Sequence, residues 1–396
     1  MNKIEKLINE FCPNGVEFKK LKNIITVAPK SPFGVTKLLK MEKGNYLTIT
    51  SGKKSFYVDN FLVDGEYIFV NDGGQADIKY NFGKTMYSDH IFAFKVNEYN
   101  TKYLYFYLLN ISNFINKKLF IGSTLKNLNK KEFLNLAIPI PPISIQNKIV
   151  EILDKYTELE TELETELELR NKQYIYYRNE LLDFNKNQAL LKKIMCSDDI
   201  ESIDSKIEFK KMSEVVLKSS FKQIDADSLF SLNEGFGEVK LLPSSKNWDW
   251  FCNIKNVNNT YLNKGEVITF GRARYANIKY WNGYFVSSNN ITITSKDSSF
   301  LLNKFLYYFL VLHNEKFYIE TSTYPKFENK IFDDFIIPIP PISIQNKIVE
   351  VLDKLETYTK DINTGLPLEI EQRKKQYEYY RNKLLDFDNI ARERAK

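Results

Sequence analysis

Histidine and cysteine are nearly missing from this chain: its 396 residues hold two histidines, His90 and His313, and three cysteines, Cys12, Cys196 and Cys252. That leaves almost no material for a histidine-based catalytic dyad or a zinc site, and no metal is expected. An odd number of cysteines rules out a full disulfide framework, so buried free thiols are the expectation. Long apolar runs are also lacking. No stretch of about 18 residues reads as a membrane span. Met1 to Phe11 mixes Lys, Glu and Asn with a few aliphatics, unlike a signal peptide, so a cytoplasmic protein is expected. Arginine is scarce too. Of eight, Arg170, Arg178, Arg373 and Arg381 fall in repeated segments, Arg392 and Arg394 in the tail, and Arg272 and Arg274 in one loop.

What is present is charge laid out in blocks. Residues 151–169 carry eight acids and one base, a net of −7, which leaves +13 for the rest of a chain whose formal charge is +6. Basic domains joined by an acidic helical segment suit a polyanion touched by the domains and not by the segment.

The chain also repeats itself. Ile138-Pro-Ile-Pro-Pro-Ile-Ser-Ile-Gln-Asn-Lys-Ile-Val-Glu151 recurs unchanged from Ile337 to Glu350, and extending to Lys155 and Lys354 gives 17 identities in 18. Arg170–Phe184 matches Arg373–Phe387 at 12 of 15 positions around Lys-Gln-Tyr-x-Tyr-Tyr-Arg-Asn-x-Leu-Leu-Asp-Phe. More faintly, Glu17-Phe-Lys-Lys-Leu21 resembles Glu208-Phe-Lys-Lys-Met212, and residues 65–91 align with 265–291 at 10 of 27 positions. The unit is a variable domain followed by a near-invariant helix, used twice: domains at 1–137 and 186–336, helices at 138–185 and 337–390.

Inside the variable domains, Tyr67–Val70 and Ile291–Thr294 read as strands, and Leu104–Leu109 and Leu306–Leu310 as short buried helices. In the repeated segments, Pro139, Pro141 and Pro142 impose an extended lead-in, and Ser144 is the expected N-cap. Ile145, Ile149, Ile152, Tyr156, Leu159 and Leu163 then follow at coiled-coil spacing, with a stutter at Leu167. The second copy is four residues longer and should kink or break near Gly365-Leu-Pro367. Neither helix can bury its stripe alone, so the two should pack antiparallel, with one variable domain at each end of a rod. The expected fold is α+β, with two similar α/β domains separated by two long antiparallel coiled-coil helices.

These features resemble the DNA-specificity subunit of type I restriction-modification enzymes. The carriers are the twin Ile-Pro-Ile-Pro-Pro…Gln-Asn-Lys-Ile-Val segments, the twin Lys-Gln-Tyr-x-Tyr-Tyr-Arg segments, and Thr157-Glu-Leu-Glu repeated at Thr161 and Thr165. Cys12-Pro-Asn-Gly-Val-Glu-Phe-Lys-Lys-Leu21 and Gly122-Ser-Thr124 fit as well, although the second half has Thr321-Ser-Thr323 at that place. The resemblance implies that each variable domain is a target-recognition domain reading half of a bipartite double-stranded DNA site. It implies that the helices space the domains and dock two methyltransferase subunits, and that tetrapeptide repeats set the gap between half-sites. Restriction subunits complete the implied phage-defence complex. S-adenosylmethionine, ATP and Mg are then expected only on the partners, and the chain itself is expected to be non-catalytic. The residues agree independently: there is no Asn-Pro-Pro-Tyr-like motif, no Gly-rich cofactor loop and no GxxxxGK[ST] phosphate loop.

For DNA contact, Arg272 and Arg274 in Gly271-Arg-Ala-Arg-Tyr275 stand out, because arginine is the favoured partner of guanine O6/N7. Base reading, phosphate contact and a solvated loop all remain open for them. The frames diverge here: the first domain has Asn71-Asp-Gly-Gly-Gln75, and Gln75, opposite Tyr275, has an amide that can pair with adenine. Lys79 and Lys279 are common to both frames, which suits phosphate positioning as well as a plain surface lysine. Lys53, Lys54 and Lys126, with Lys130 and Lys131, are further basic candidates. Gln146 and Gln345 open the two helices and either dock a partner or cap the helix turn, and Tyr177 and Tyr380 are candidates for docking or coiled-coil packing.

Overall fold

The computed structural model describes residues 15–41, 43–52, 55–184, 207–219, 221–246, 249–271, 277–361 and 364–387. They fall into two compact units: one runs to Glu164 and resumes at Glu369, the other is Thr165–Leu368. The division cuts through both long helical segments, so each unit takes half of each. The helices that carry the two units are α1 Thr101–Asn110, α2 Ile143–Leu182, α3 Asn303–His313, α4 Ile342–Lys360 and α5 Leu366–Leu385.

The first unit has a four-stranded sheet in the order Ile25–Val27, Ile91–Val96, Glu66–Asn71, Ile78–Phe82, and a three-stranded sheet in the order Phe56–Val58, Tyr46–Ile49, Thr85–Tyr87. The second unit fuses the same arrangement into six strands: Val216–Ser219, Asn290–Ser295, Asn263–Gly271, Lys279–Ser287, Val239–Leu242, Phe251–Cys252. The fusion happens at a shared glycine. Gly83 (φ +100°) turns the chain between two strands, whereas Gly283 (φ +143°) lies within one long strand; both use backbone that L side chains rarely adopt. A two-stranded antiparallel ribbon closes each unit, pairing Glu17–Lys20 with Ala137–Ile140 and Glu208–Lys211 with Ile336–Ile339 in matching register.

The expected strands and short helices are present, with α1 and α3 buried against their sheets. Asn100 caps α1 by accepting from the Tyr103 amide at 2.9 Å. The Ser144 N-cap is corrected. α2 begins at Ile143, and the Pro142 carbonyl accepts from the Ile145 and Gln146 amides, as Pro341 does for α4, so the proline run itself sets the first turn.

Helix pairing is antiparallel within each unit. In the first, Ile145, Ile149 and Leu153 of α2 share a core with Leu384 and Leu385 of α5, Tyr156 stacks on Tyr380 at 5.3 Å, and Lys374 pairs with Glu164 at 2.8 Å. In the second, Tyr174 and Leu181 of α2 share a core with Ile344, Ile348 and Leu352 of α4, and Arg170 lies over the Tyr358 ring at 5.7 Å. The regular seam is corrected: Leu153 is fully buried where Ile152 was expected, and Leu159 is 40% exposed. The buried spacing of four arises because α2 packs on the domain helix α1 as well as on its partner. The expected break is found. α4 stops at Lys360 and α5 starts at Leu366, and a Cβ on Gly365 would come within 2.7–2.8 Å of the carbonyls of Thr357, Tyr358 and Asp361.

Candidate nucleic-acid interface

Each unit presents a strand-end loop beside a short hairpin. In the first, the strand Glu66–Asn71 runs into the loop Asp72–Gln75, which lies against the hairpin Phe120–Ile121/Asn127–Leu128. Gly74 N donates to Lys126 O at 2.8 Å, Leu128 N to Asp72 O at 3.0 Å, and Lys130 pairs with Asp72 at 2.7 Å. These bonds bring exposed Gln75 and Lys126 onto one surface, with exposed Lys117 and Lys118 nearby in sequence on the turn that precedes the hairpin. Gly122 makes the hairpin turn possible: at φ +138°, a Cβ there would sit 2.1 Å from Leu125 O. In the second unit a side chain substitutes for that glycine, because Thr321 Oγ1 donates to Tyr324 O at 2.6 Å and accepts from Tyr324 N at 3.3 Å.

The matching loop of the second unit contains Arg272, Arg274 and Tyr275, which lie outside the described residues, as do Lys53 and Lys54 of the first. Its N-terminal anchor is placed. Gly271 pairs with Asn290, and its carbonyl accepts from the Tyr318 phenol at 3.0 Å, at the hairpin Tyr318–Ile319/Lys326–Phe327. Beside it a cleft of about 520 Å³ is lined by Lys218, Gln223, Asn290, Thr292, Lys326 and Asn329, among others. Gln223 and Asn290 brace each other through Gln223 Nε2 to Asn290 O and Asn290 N to Gln223 Oε1, both at 2.8 Å. Asn290 Oδ1 is buried without a hydrogen-bond partner. Nothing in the sequence marks Gln223, Asn290 or the hairpin tips Leu125 and Tyr324 as site residues, because their surroundings form only in the fold.

The two shared lysines are placed alike, each bonded to loop carbonyls. Lys79 Nζ donates to Thr50 O at 2.6 Å and Gly52 O at 3.0 Å, and pairs with Asp77 at 3.0 Å. Lys279 Nζ donates to Pro243 O and, at 2.8 Å, to Ser245 O. Each lysine ties down a loop that follows a strand, Tyr46–Ile49 in the first unit and Val239–Leu242 in the second. For Lys279 the phosphate reading is corrected, because only 2% of its surface is exposed. Burial, with Lys240 nearby, lowers its ammonium to about 7.

The docking reading is corrected for the two glutamines. Gln146 and Gln345 are fully buried. Gln146 accepts from Asn100 N at 3.0 Å and donates to Pro141 O at 2.8 Å; Gln345 accepts from Leu302 N at 2.9 Å and donates to Phe300 O and Pro340 O at 2.9 and 2.8 Å. They fasten each helix start to the loop before α1 or α3 and present nothing to a partner. Tyr380 stacks on Tyr156, and Tyr177 packs against the second core, the packing alternative of the two expected for them, and both stay half-buried. The aromatics left outward in those motifs are Tyr176 and Tyr379, 55% and 53% exposed.

A further latch repeats between units. Lys102 pairs with Asp154 of α2 at 2.7 Å and lies over the Tyr80 ring; Lys304 pairs with Asp353 of α4 at 3.1 Å and lies over Tyr280. Among the described residues no group of three or more His, Cys, Asp or Glu is arranged to hold a metal, and no helix is long and apolar enough to cross a membrane. Cys252 is a buried free thiol, raised to about 11 by burial; Cys12 and Cys196 lie outside the described residues.

One framework built twice, latched to paired helices and tipped with loops that differ, defines a repeated target-recognition protein. The model of the type I restriction modification DNA specificity domain matches residues 13–170 and again 243–372. The chain belongs to that family. It is 32% identical to a putative type I restriction enzyme specificity subunit of Haemophilus influenzae, over 97% of this chain and 98% of that one. It is 28% identical to the EcoR124I/EcoR124II specificity subunit of Escherichia coli, over 72% of this chain and 70% of that one. The crystal structure of the type I S subunit from M. genitalium shares the fold, with a TM-score of 0.65 at 16% identity, covering 94% of this chain and 96% of that one.

Proposed function

We propose that each unit reads one half of a bipartite DNA site, and that the chain docks two methyltransferase subunits and the restriction subunits without doing chemistry itself. The observation that carries this reading is the pairing of an invariant frame with divergent tips. The Tyr–Glu bonds, lysine tethers and buried glutamines recur in both units, while Asp72–Gln75 and the loop after Gly271 differ in sequence at the same place. A shared frame that holds different loops fits two half-sites of different sequence. The twin lead-in strands and twin helix ends offer one surface twice, which fits two copies of one partner. In this complex S-adenosylmethionine, ATP and Mg belong to the partners.

The test is to express the chain with its partner subunits and map methylated adenines. Two half-sites separated by an unread gap are expected, with no methylation or cleavage by the chain alone. Exchanging Asp72–Gln75 and residues 122–126 should change one half-site and leave the other intact. A continuous single motif, or turnover by the isolated chain with S-adenosylmethionine, would overturn the reading.

A further inference from the structure

In the first unit the hairpin Phe120–Ile121/Asn127–Leu128 closes through residues 122–126, and this turn carries Leu125 into solvent. Leu125 is 76% exposed, more than any other large hydrophobic side chain among the described residues. It adds little to the core there, since burial is what makes a leucine stabilising. One exposed leucine alone needs no explanation, but this one belongs to a pattern. Ile121 of the same hairpin is 56% exposed. At the matching places the second unit presents Ile319 and Tyr324, 40% and 46% exposed, Tyr324 standing like Leu125 two residues before the returning strand. The tip changes its residues between units and keeps its apolar exposure.

The first tip is also braced. Gly122, at φ +138°, takes a backbone conformation that L side chains rarely adopt. Gly73 bridges to Asn127, Gly74 N donates to Lys126 O at 2.8 Å, and Asn129 N donates to Leu119 O at 2.7 Å. Around the tip the charge has one sign. Residues 101–131 contain six lysines and no acidic residue, and Lys117, Lys118 and Lys126 among them are exposed. Lysine is depleted at protein–protein interfaces and favoured beside phosphates, so this surrounding fits a polyanion better than a protein face.

We propose that Leu125 reads a thymine of the first unit's half-site, through apolar contact with the C5-methyl group in the major groove. This inference rests on the reading of that unit as a DNA-recognition domain. The major groove, about 12 Å wide, admits a two-stranded ribbon, and the thymine methyl is the apolar group that the base edges present there. Lys117, Lys118 and Lys126 then stand toward phosphates, which position the ribbon without reading sequence. The bond from Gly74 N to Lys126 O places exposed Gln75 on the same surface. Its amide matches adenine N6 and N7, so Leu125 and Gln75 together address the two bases of A·T pairs. Tyr324 offers a phenol in place of the leucine, in keeping with a second half-site of different sequence.

The experiment uses the chain assembled with its methyltransferase subunits and a duplex carrying the methylation site mapped for that complex. Each thymine of the first unit's half-site, the one altered by exchanging Asp72–Gln75 and residues 122–126, is replaced in turn by deoxyuridine, which lacks only the methyl group. One replacement should weaken binding about fourfold, the worth of one buried methyl group. Leu125→Ala should bind the unmodified duplex about as weakly and lose its response to that replacement, while Leu125→Met keeps the response. Responses in the other half-site should stay as in the wild type. A complex that methylates no bipartite site overturns both this contact and the reading beneath it. A bipartite site in which every thymine of that half tolerates deoxyuridine overturns the contact alone, as does a response that persists in folded Leu125→Ala. Loss of the methyltransferase subunits from folded Leu125→Ala would also overturn it, by assigning the tip to a protein partner.

Discussion

Tyr280 donates its phenol proton to Glu266 Oε1 at 2.6 Å, diagonally across two antiparallel strands, and Tyr80 makes the same bond to Glu66 at 3.1 Å in the other unit. Glu266 is also held by Asn303 Nδ2 at 2.6 Å, at the first turn of α3, so the bond ties sheet to helix. Burial and the adjacent carboxylate raise both phenols well above the ordinary tyrosine range, which keeps them donors at any physiological pH. Tyr280→Phe should therefore cost about 1–2 kcal/mol, because it removes a hydrogen bond to a charged group. Tyr80→Phe, where the bond is solvent-exposed, should cost less than about 1 kcal/mol. Urea denaturation of each variant checks both.

Gln345 satisfies three backbone groups at once, so Gln345→Ala leaves Leu302 N, Phe300 O and Pro340 O without it in a buried place. A loss of about 3 kcal/mol is expected. Co-purification with methyltransferase should fall only as far as folding falls. A pull-down defect in a variant whose melting temperature is unchanged would restore the docking role.

Lys279 gives the second unit a pH dependence. Below its folded value of about 7 the ammonium is charged in both folded and unfolded chains, and the burial penalty is fully present. As pH rises toward the ordinary value of 10.5, the folded chain has lost the proton while the unfolded chain still binds it, so stability rises. Lys240, lowered to about 8, acts in the same direction. Between about pH 7 and 9 the wild type should gain stability relative to Lys279→Met. Denaturation midpoints that run parallel in the two proteins would show that Lys279 does not titrate in this window.

Much of this architecture is written in the sequence because it is written twice. Ile138–Lys155 against Ile337–Lys354 fixes the unit length, and the antiparallel pairing comes from two apolar stripes that cannot be buried singly. The roles of the shared polar residues were not legible. A glutamine in the first helical turn looks the same whether it faces solvent or, as Gln146 does, three-dimensional neighbours at Asn100 and Pro141. Lys79 and Lys279 share a sequence frame, but nothing in it shows that strand geometry aims them at loop carbonyls 27 to 36 residues away. A shared residue marked the fold in these cases, and base reading stays an expectation for the divergent loops. Arg272 and Arg274 keep that expectation: replacing the base-reading one with Ala should cost about 1–3 kcal/mol and relax one base pair, while the other weakens binding uniformly. Methylation mapping with each variant distinguishes them.

The three Thr-Glu-Leu-Glu units, residues 157–168, lie in the stretch of α2 where the chain passes from one compact unit to the other, between Glu164 and Thr165. Deleting Thr161–Glu164 removes about 6 Å of helix rise and rotates the C-terminal half of α2 by about 40°, a four-residue change of the kind helical seams absorb. Local chemistry survives the deletion. Lys374 pairs with Glu160 at 3.4 Å and Glu164 at 2.8 Å, and after it Glu160 remains while Glu168 moves into the place of Glu164. Thr157 and Thr161 each donate to the carbonyl four residues earlier, and Thr165 inherits the second of these bonds. Neither unit loses a core residue, because the buried positions of α2 are Ile145, Gln146, Ile149 and Leu153 before the repeats and Tyr174, Leu181 and Leu182 after them. Both units should therefore stay folded. At about 3.4 Å per base pair, the lost rise corresponds to one or two base pairs. Expressed with its partners, the deletion variant should methylate the same two half-sites across a gap shortened by that amount, and a variant with a fourth unit should lengthen it. An unchanged gap with full activity would show that α2 does not set the spacing.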